Sequence, residues 1–284
     1  MPHSERQRLH RHPAFLRAYR FLPHRLLNRT VASLTAARRP AWAVDAAIRF
    51  WTRRDRIELG DFEARRYESL DDFFLRRLRP GARPIGQGVV SPADGNLVGY
   101  GSLDPRLPLT IKAQRLGLHR VVNGRHYDLE LSNYDGGVYA VVFLTPRGYH
   151  FVHMPVDGVV RDVRWIPGRY FPQNETALQH IPRIYERNER AVLRCRARAG
   201  WEFLMVLVGA SLIGGIVLHD LPQDEWMQPR PTPFGRGVAR GEELGHFAFG
   251  STVVLLLPRG VADPIAPTDA VHMGQQLFAL QNDA

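Results

Sequence analysis

Cysteine and lysine are almost missing from this sequence of 284 residues, which contains one of each, Cys195 and Lys112. A single cysteine excludes a disulfide within the chain and any zinc site built from several cysteines. The sequence also lacks an apolar run of the roughly 18 residues that a membrane-spanning helix needs. Its N-terminus lacks the basic-then-apolar order of a secretory signal. We therefore expect a protein that suits a reducing compartment and crosses no membrane.

Acidic residues are scarce in the first fifth of the chain. Residues 1–60 contain 13 arginines against only four acidic residues, which gives this stretch +9 of the net charge of +10. Aromatic residues alternate with these arginines, as in a helix that lies in the interface of a lipid bilayer. A helical cap with a solvated basic face is an equally weighted alternative. A basic stripe also suits nucleic-acid binding, but no nucleic-acid motif supports it, so we expect no such partner.

The pattern of apolar residues divides the chain into two regions. Residues 14–56 have helical spacing, with Val44, Ile48 and Trp51 on one face, which predicts amphipathic helices in a membrane-binding region over residues 1–66. From about residue 89, short β-rich segments recur between turn residues, and no longer helical pattern alternates with them. The sequence therefore predicts an α+β protein whose N-terminal helices precede a mainly antiparallel, barrel-like β catalytic domain over residues 67–284.

Three polar sites stand out in the β-rich region. Asp94 lies in a Pro-Ala-Asp-Gly turn, His150 and His153 lie three residues apart, and Ser251 follows Gly250 directly before an apolar run. On a strand the two histidines would face opposite sides, which argues against a shared metal, whereas in a turn they could converge. Aspartate, histidine and serine are the residue types of an activated nucleophile. Each also suits a purely structural role, and the G-x-S-x-G motif of ordinary hydrolases is absent.

Seven segments resemble, in their order and spacing, the pyruvoyl-dependent phosphatidylserine decarboxylases. They are YESLDDFFLRRLRPGARPI (67–85), SPADG (91–95), YHFVHMPVDG (149–158), PGRYF (167–171), RNERAVL (187–193), VGASLIGGI (208–216) and GEELGHFAFGST (241–252). The chain departs from residues that are usual in that family at Lys112-Ala113, Gly148, Phe151 and Phe249. Because Gly148 and Phe151 flank the Tyr-His pair, these two departures bear on substrate contacts more than on self-processing.

The resemblance implies that the chain cuts itself between Gly250 and Ser251. The hydroxyl of Ser251 attacks the carbonyl of Gly250, with His153 as the base and Asp94 orienting His153. Elimination and hydrolysis then leave a β chain (1–250) and an α chain (251–284) that begins with a pyruvoyl group made from Ser251. This covalent cofactor forms a Schiff base with the amine of phosphatidylserine and accepts electrons as carbon dioxide leaves. His150 contacts the substrate, and no metal is needed.

The resemblance also implies the partners and the location of the protein. Phosphatidylserine, an anionic membrane surface and the two chains of one precursor are the expected partners, and a homodimer is left open. The protein is expected to be peripheral, on the cytoplasmic face of the cell membrane. Two alternatives stay open: a metal-dependent hydrolase that uses His150, His153 and Asp94, and a lipid-binding relative that never processes itself.

Overall fold

The computed structural model describes residues 30, 33–38, 40–104, 109–111, 114–124, 128–210, 215–248, 251–265 and 268–281. The helices expected over residues 14–29 lie outside these ranges, as do Lys112, Phe249 and Gly250. Thr30 and residues 33–35 are helical. The helices with described bounds are α1 (Ala41–Asp55), α2 (Leu70–Phe74), α3 (Leu118–Val122), α4 (Glu175–His180), α5 (Ile184–Arg187) and α6 (Gln223–Trp226), with a 3-10 turn at Ser132–Tyr134.

Short strands make up most of the remaining structure. They are β1 (Val89–Val90), β2 (Gly95–Ser102), β3 (Leu109–Ile111), β4 (Gln114–Leu116), β5 (Val138–Leu144), β6 (Phe151–His153), β7 (Gly158–Ile166), β8 (Arg190–Ala197), β9 (Glu202–Gly209), β10 (Ile216–Leu218), β11 (Thr232–Val238), β12 (Glu243–Phe247), β13 (Ser251–Leu257), β14 (Ala262–Pro264), β15 (Ala270–Val271) and β16 (Gln276–Leu280). The α+β class and the mainly antiparallel pairing predicted from the sequence are therefore confirmed.

The largest sheet is open, so the predicted barrel-like closure is wrong. Its eight strands follow the order β11-β7-β8-β9-β13-β5-β2-β15, and among the described strands the edges β11 and β15 do not pair with each other. The edge strand β11 contains Pro233, which has no N–H to donate, and its register with β7 is interrupted between Pro233 and Arg236. The smaller sheets are β10-β12-β6, β1-β16-β14 and the hairpin β3-β4.

Both faces of the large sheet are buried. Val253 and Leu255 of β13 pack in a core cluster that also contains residues of β6, β10 and β12. Val254 and Leu256, on the opposite face, pack in a second cluster with residues of α3, α4 and α5. A barrel encloses one interior, whereas this sheet is the middle layer of three. The uninterrupted apolar run of β13 reflects this burial on both sides.

Helix α1 lacks the clear amphipathic character predicted for the N-terminal helices. Its inner side is only partly buried, where Ile48 and Trp51 pack against a small cluster that includes Phe73. Its outer side carries two large aromatic residues, Trp42 and Phe50, which are 73% and 55% exposed. Apolar residues thus lie on both sides of the helix. Within the described ranges, no helix combines the length and the apolar character that crossing a bilayer requires.

The segment after residue 250 contributes strands to two sheets of the protein. Strand β13 is paired over its length with β5 on one side, and with β9 on the other. Farther on, β15 pairs with β2, and β16 pairs with β1 and β14. The C-terminal segment is therefore held by backbone hydrogen bonds to strands from the first 250 residues at four separate places.

Candidate active site

Ser251 is the first residue of β13, the strand with the most complete burial in the sheet. It stands opposite Leu144 of β5 and Gly209 of β9, and it is fully buried. Its Oγ has no hydrogen-bond partner among the described residues. By strand alternation Ser251 shares the face of Val253, which is turned toward the sheet that contains β6. A buried hydroxyl without a partner costs free energy, which makes this position a candidate for chemistry.

Of the two histidines of the site, His150 directly precedes β6 and His153 is its last residue. Val152 and Met154 belong to the core cluster on the Ser251 side of the large sheet, whereas Phe151 packs with Tyr149 and Phe62 on the other side. By alternation His153 shares the face of Phe151. Among the described residues, no three His, Cys, Asp or Glu side chains form a group that could hold a metal ion.

The ring of His153 is held at both nitrogens. Its Nδ1 lies 2.9 Å from the carbonyl oxygen of Gly241, and its Nε2 lies 2.9 Å from the hydroxyl of Tyr149. Because a carbonyl can only accept, Nδ1 carries the proton, and the Nε2 lone pair of the neutral ring accepts from Tyr149. Burial lowers the pKa of His153, so the ring is neutral at pH 7. Nε2 is therefore the atom that can take a proton.

His150 is fully buried, and neither ring nitrogen has a hydrogen-bond partner within the described part of the chain. Its ring lies on that of Phe74, with 3.8 Å between centroids. Burial, and then the positive charge of Arg76, hold the pKa of His150 well below its usual value. His150 is thus a neutral imidazole directly before β6, and an interaction with the Gly148 backbone partly offsets the lowering of its pKa.

Arg76 is a buried cation that the sequence analysis did not single out. Its guanidinium donates hydrogen bonds to the carbonyls of Arg147, Gly148 and Phe73, the last two at 2.8 and 3.1 Å. It also lies 4.5 Å from the ring centre of Phe62. Burial lowers the pKa of Arg76 to about 10, which leaves it charged at pH 7. Arg76 thereby fixes the turn that leads directly into the Tyr-His pair.

Asp94 is bound by an arginine, and its described hydrogen bonds do not include His153. The Nη2 of Arg83 lies 2.7 Å from Asp94 Oδ2, and the backbone N–H of Met273 donates to Oδ1 at 2.7 Å. His272 Nδ1 lies 3.5 Å from the same carboxylate. Gly241 and Tyr149 hold the His153 ring in this structure, and its orientation by Asp94 stays a prediction. Asp94 acts on His153 only as a nearby negative charge, which works to raise its pKa.

Phe151, one of the positions where the sequence departs from the resembled family, is covered by an arginine from another element. The guanidinium of Arg77 lies 4.6 Å from the centre of the Phe151 ring, and it pairs with Glu243 at 2.9 Å. His246 packs on the same ring. Its Nδ1 lies 3.1 Å from Nε2 of His219. Burial, followed by the charges of neighbouring groups, lowers the pKa of His246 to about 4. The wall beside Tyr149 is therefore aromatic, with one exposed cation above it.

Removing the Arg83 side chain is predicted to destabilise the protein strongly. Arg83 and Asp94 are each 9% exposed in their side chains, so Arg83→Met leaves a buried carboxylate without its cation. We expect the free energy of unfolding to fall by about 3 kcal/mol or more. The measurement is urea denaturation of variants in a Ser251→Ala background, which keeps the chain in one piece if Ser251 is the nucleophile.

Arg77→Met is the matched control for Arg83→Met. Arg77 also pairs with a carboxylate, that of Glu243, but its side chain is 53% exposed. The expected loss is below about 1 kcal/mol because solvent screens such a pair. Equal losses for the two variants would contradict a structural role of the Arg83–Asp94 pair.

Comparison with known proteins shows which sequences this chain resembles. A family model described as phosphatidylserine decarboxylase matches residues 70–279. The chain is similar to proteins named phosphatidylserine decarboxylase proenzyme from several bacteria. It is 34% identical over 281 residues to that of Pseudomonas aeruginosa (strain LESB58), covering 93% of this chain and 96% of the relative.

Two further relatives carry the same name. The protein from Shewanella sp. (strain ANA-3) is 30% identical over 282 residues, covering 93% of this chain and 95% of the relative. The protein from Stenotrophomonas maltophilia (strain R551-3) is 32% identical over 278 residues, covering 92% and 96%. With a matching family model and relatives aligned over nearly their full length, the chain belongs to the phosphatidylserine decarboxylase family.

Proposed function

We propose that this protein converts phosphatidylserine to phosphatidylethanolamine and carbon dioxide, using a pyruvoyl group that it makes from Ser251. The observation that carries the proposal is the hydroxyl of Ser251, buried without a partner at the head of a central strand. It directly follows Gly250, a residue with no side chain to shield its carbonyl carbon.

Self-processing begins with the attack of Ser251 Oγ on the Gly250 carbonyl carbon. The peptide C–N bond breaks as the C–O bond forms, so the amide becomes an ester and Ser251 gains a free amine. A base then removes the Cα proton of residue 251, and the Gly250 carboxylate leaves from Cβ. The resulting dehydroalanine rearranges to an imine, and water converts this imine to the ketone with release of ammonia. No oxidant or reductant is consumed.

The surroundings of Ser251 fit the group that this sequence of steps produces. A pyruvoyl group is small and uncharged, and the position is closed to solvent and opposed by Leu144 and Gly209. When present there, its carbonyl would withdraw electrons from the substrate's α-carbon as carbon dioxide leaves. The strand Ser251–Leu257 would hold it rigidly, because this strand is fully buried and paired on both sides.

The two histidines are assigned different roles, one as the base of self-processing and one as a contact for the substrate. His153 is proposed as the base of self-processing from the family resemblance and because its neutral ring has a basic Nε2. Tyr149 holds this atom in the structure, and no described contact joins His153 to Ser251, so the Tyr149 hydrogen bond would have to be released first. Asp94 would support the protonated form of this ring by its charge, without a direct hydrogen bond. His150 is proposed to contact the substrate, since its buried nitrogens have no partner among the described residues.

The exposed side of α1 supports a peripheral membrane location. Trp42 and Phe50 project from it, and exposed arginines such as Arg49 and Arg53 lie between and beyond them. Aromatic rings that enter the lipid interface and cations that attract anionic headgroups would act together there. The cytoplasmic face of the cell membrane, whose surface potential is negative, is the proposed site of action. The membrane-binding role of residues 1–66 remains part of this proposal.

Self-cleavage is predicted to depend on the Ser251 hydroxyl. Intact mass spectrometry of the denatured protein should give two chains, of which the smaller begins with a blocked residue 251. Ser251→Ala should give one full-length chain. Cleavage of the Ser251→Ala protein at this bond would contradict the assignment of Ser251 as the nucleophile. A wild-type chain that stays whole would instead favour a lipid-binding relative without processing.

Variants of the two histidines are predicted to give different cleavage rates in the same assay. His153→Ala should block cleavage, and Asp94→Asn should slow it less, because the aspartate acts only through its charge. His150→Ala should cleave within a few-fold of the wild-type rate yet lose turnover. The opposite result for the two histidines would assign the base to His150, directly before β6.

Decarboxylation is predicted to require a ketone and no metal. Carboxyl-labelled phosphatidylserine in detergent micelles should release labelled carbon dioxide, and phenylhydrazine, which captures ketones, should abolish the release. A metal chelator should have no effect. Reduction with cyanoborohydride in the presence of substrate should add the lipid's mass to the fragment that begins at residue 251. Loss of activity with the chelator would instead favour the metal-dependent hydrolase.

Membrane binding is predicted to depend on α1. The variant Arg49→Gln/Arg53→Gln should weaken binding to vesicles with anionic lipid by roughly tenfold or more at low salt. Trp42→Ala/Phe50→Ala should remove the binding that survives high salt. The control Arg161→Gln/Arg198→Gln removes the same charge from exposed positions on and beside β7 and β8. Equal weakening by both charge variants would argue for a nonspecific effect of net charge.

A further inference from the structure

The buried amide of Gln173 joins two strands beside the reactive bond. Gln173 lies between β7 and α4 and is 3% exposed. Its Oε1 accepts a hydrogen bond from Thr252 Oγ1 at 2.6 Å, and its Nε2 donates to the Gly209 carbonyl at 3.1 Å. Thr252 follows Ser251 on β13, whereas Gly209 stands opposite Ser251 at the end of β9. One side chain therefore connects both strands at the level of the Gly250–Ser251 bond.

A second buried amide, that of Asn188, fixes the segment that carries Gln173. Asn188 Nδ2 donates to the same Gly209 carbonyl at 2.9 Å and to the Phe171 carbonyl at 2.9 Å. Its Oδ1 accepts from the Phe171 N–H at 2.9 Å. Because Phe171 is only two residues from Gln173, the position of the Gln173 amide is well defined. Such a buried and fully bonded network is rigid.

The network distinguishes two adjacent hydroxyls on β13. Thr252 faces the cluster with α4 and α5, and its hydroxyl donates to Gln173 and also interacts with the hydroxyl of Tyr185. Ser251 faces the opposite side, toward β6, and its hydroxyl is unpartnered among the described residues. Anchoring Thr252 therefore sets the direction of Ser251 without occupying its hydroxyl.

We propose that Gln173 is a positioning residue for self-cleavage, which holds Thr252 and Gly209 together and thereby fixes the backbone of Ser251, the residue that supplies the nucleophile. The inference rests on the proposed function, since it concerns the rate of that cleavage. Gln173 contacts neither reacting group and acts through Thr252. A displacement of about 1 Å can cost roughly 100-fold in rate, so a small loosening of this contact has a measurable effect.

The test measures the rate of cleavage in newly made full-length chains. Cell-free synthesis with a short labelling pulse is followed by a chase, and denaturing gels give the half-time of conversion to two chains. Gln173→Met keeps the length of the side chain and removes its hydrogen bonds. We expect it to lengthen the half-time by roughly tenfold or more.

Gln114→Met is the matched control. Gln114 is also a buried amide, 5% exposed, and it accepts from the Ile184 N–H at 3.2 Å and donates to the Ile181 carbonyl at 2.9 Å. It does not contact β13, so the variant should cleave within about twofold of the wild-type rate. Melting temperatures of both variants in a Ser251→Ala background show whether their losses of stability are comparable.

Substitution of Thr252 tests the same contact from its other end. Thr252→Val keeps the shape and removes the hydroxyl, and it should slow cleavage about as much as Gln173→Met. The double variant should be no slower than Thr252→Val alone, because Thr252→Val already removes the contact with Gln173. Thr252→Ser, which retains the hydroxyl, should cleave within about threefold of wild type. If Gln173→Met does not fold, the comparison of Thr252→Val with Thr252→Ser still tests the contact.

The outcomes separate this inference from the proposed function. If wild type cleaves and both Gln173→Met and Thr252→Val cleave equally fast, Gln173 has no positioning role, although the proposed function stands. Equal slowing by Gln114→Met at comparable stability would likewise overturn the inference, since any buried amide would then suffice. A wild-type chain that gives the same single band as Ser251→Ala would overturn both.

Discussion

The pairing of β13 with a strand on each side is the constraint on which the rest of the structure depends. It fixes the register of seven consecutive residues and buries all of them. The first of these residues is Ser251, so the rigid centre of the sheet also defines where the serine hydroxyl stands. A flexible loop would give that hydroxyl many orientations, whereas the strand gives it one side of the sheet. In the proposed mechanism, stability and the placement of the nucleophile would therefore depend on the same hydrogen bonds.

Buried charges organise the chain around this centre. Arg76 binds carbonyls of the turn before the Tyr-His pair, and Arg83 binds Asp94. Each guanidinium is held by geometry that would be costly to lose, because an uncompensated buried charge or carbonyl destabilises the fold. The histidines, in contrast, are kept neutral by burial. The site thus combines fixed cations, which hold the backbone, with uncharged imidazoles that are available for proton transfer.

The sequence predicted the residue types of the site better than their contacts. The motif around His150 and His153 and the Gly-Ser step were recognisable because they are local, and the strand between the histidines was one of two stated possibilities. The hydrogen bond of His153 to Gly241 joins residues 88 positions apart, and no local pattern reports it. Gln173 carried no signal at all. The prediction of a barrel-like closure was wrong. An apolar run such as that of β13 does not reveal that its two faces meet different layers.

The threading of the C-terminal segment has a consequence for how the protein can be made. Before cleavage every pairing of β13 forms within one molecule, so the sheet assembles at a rate that does not depend on concentration. After cleavage the same pairings would have to form between two separate chains, one of them only 34 residues long. Unfolding of the cut protein would then be a dissociation, and dilution would oppose its reversal. The mature form would persist because its paired strands open slowly. Once unfolded, the two chains would not readily refold into the same sheet.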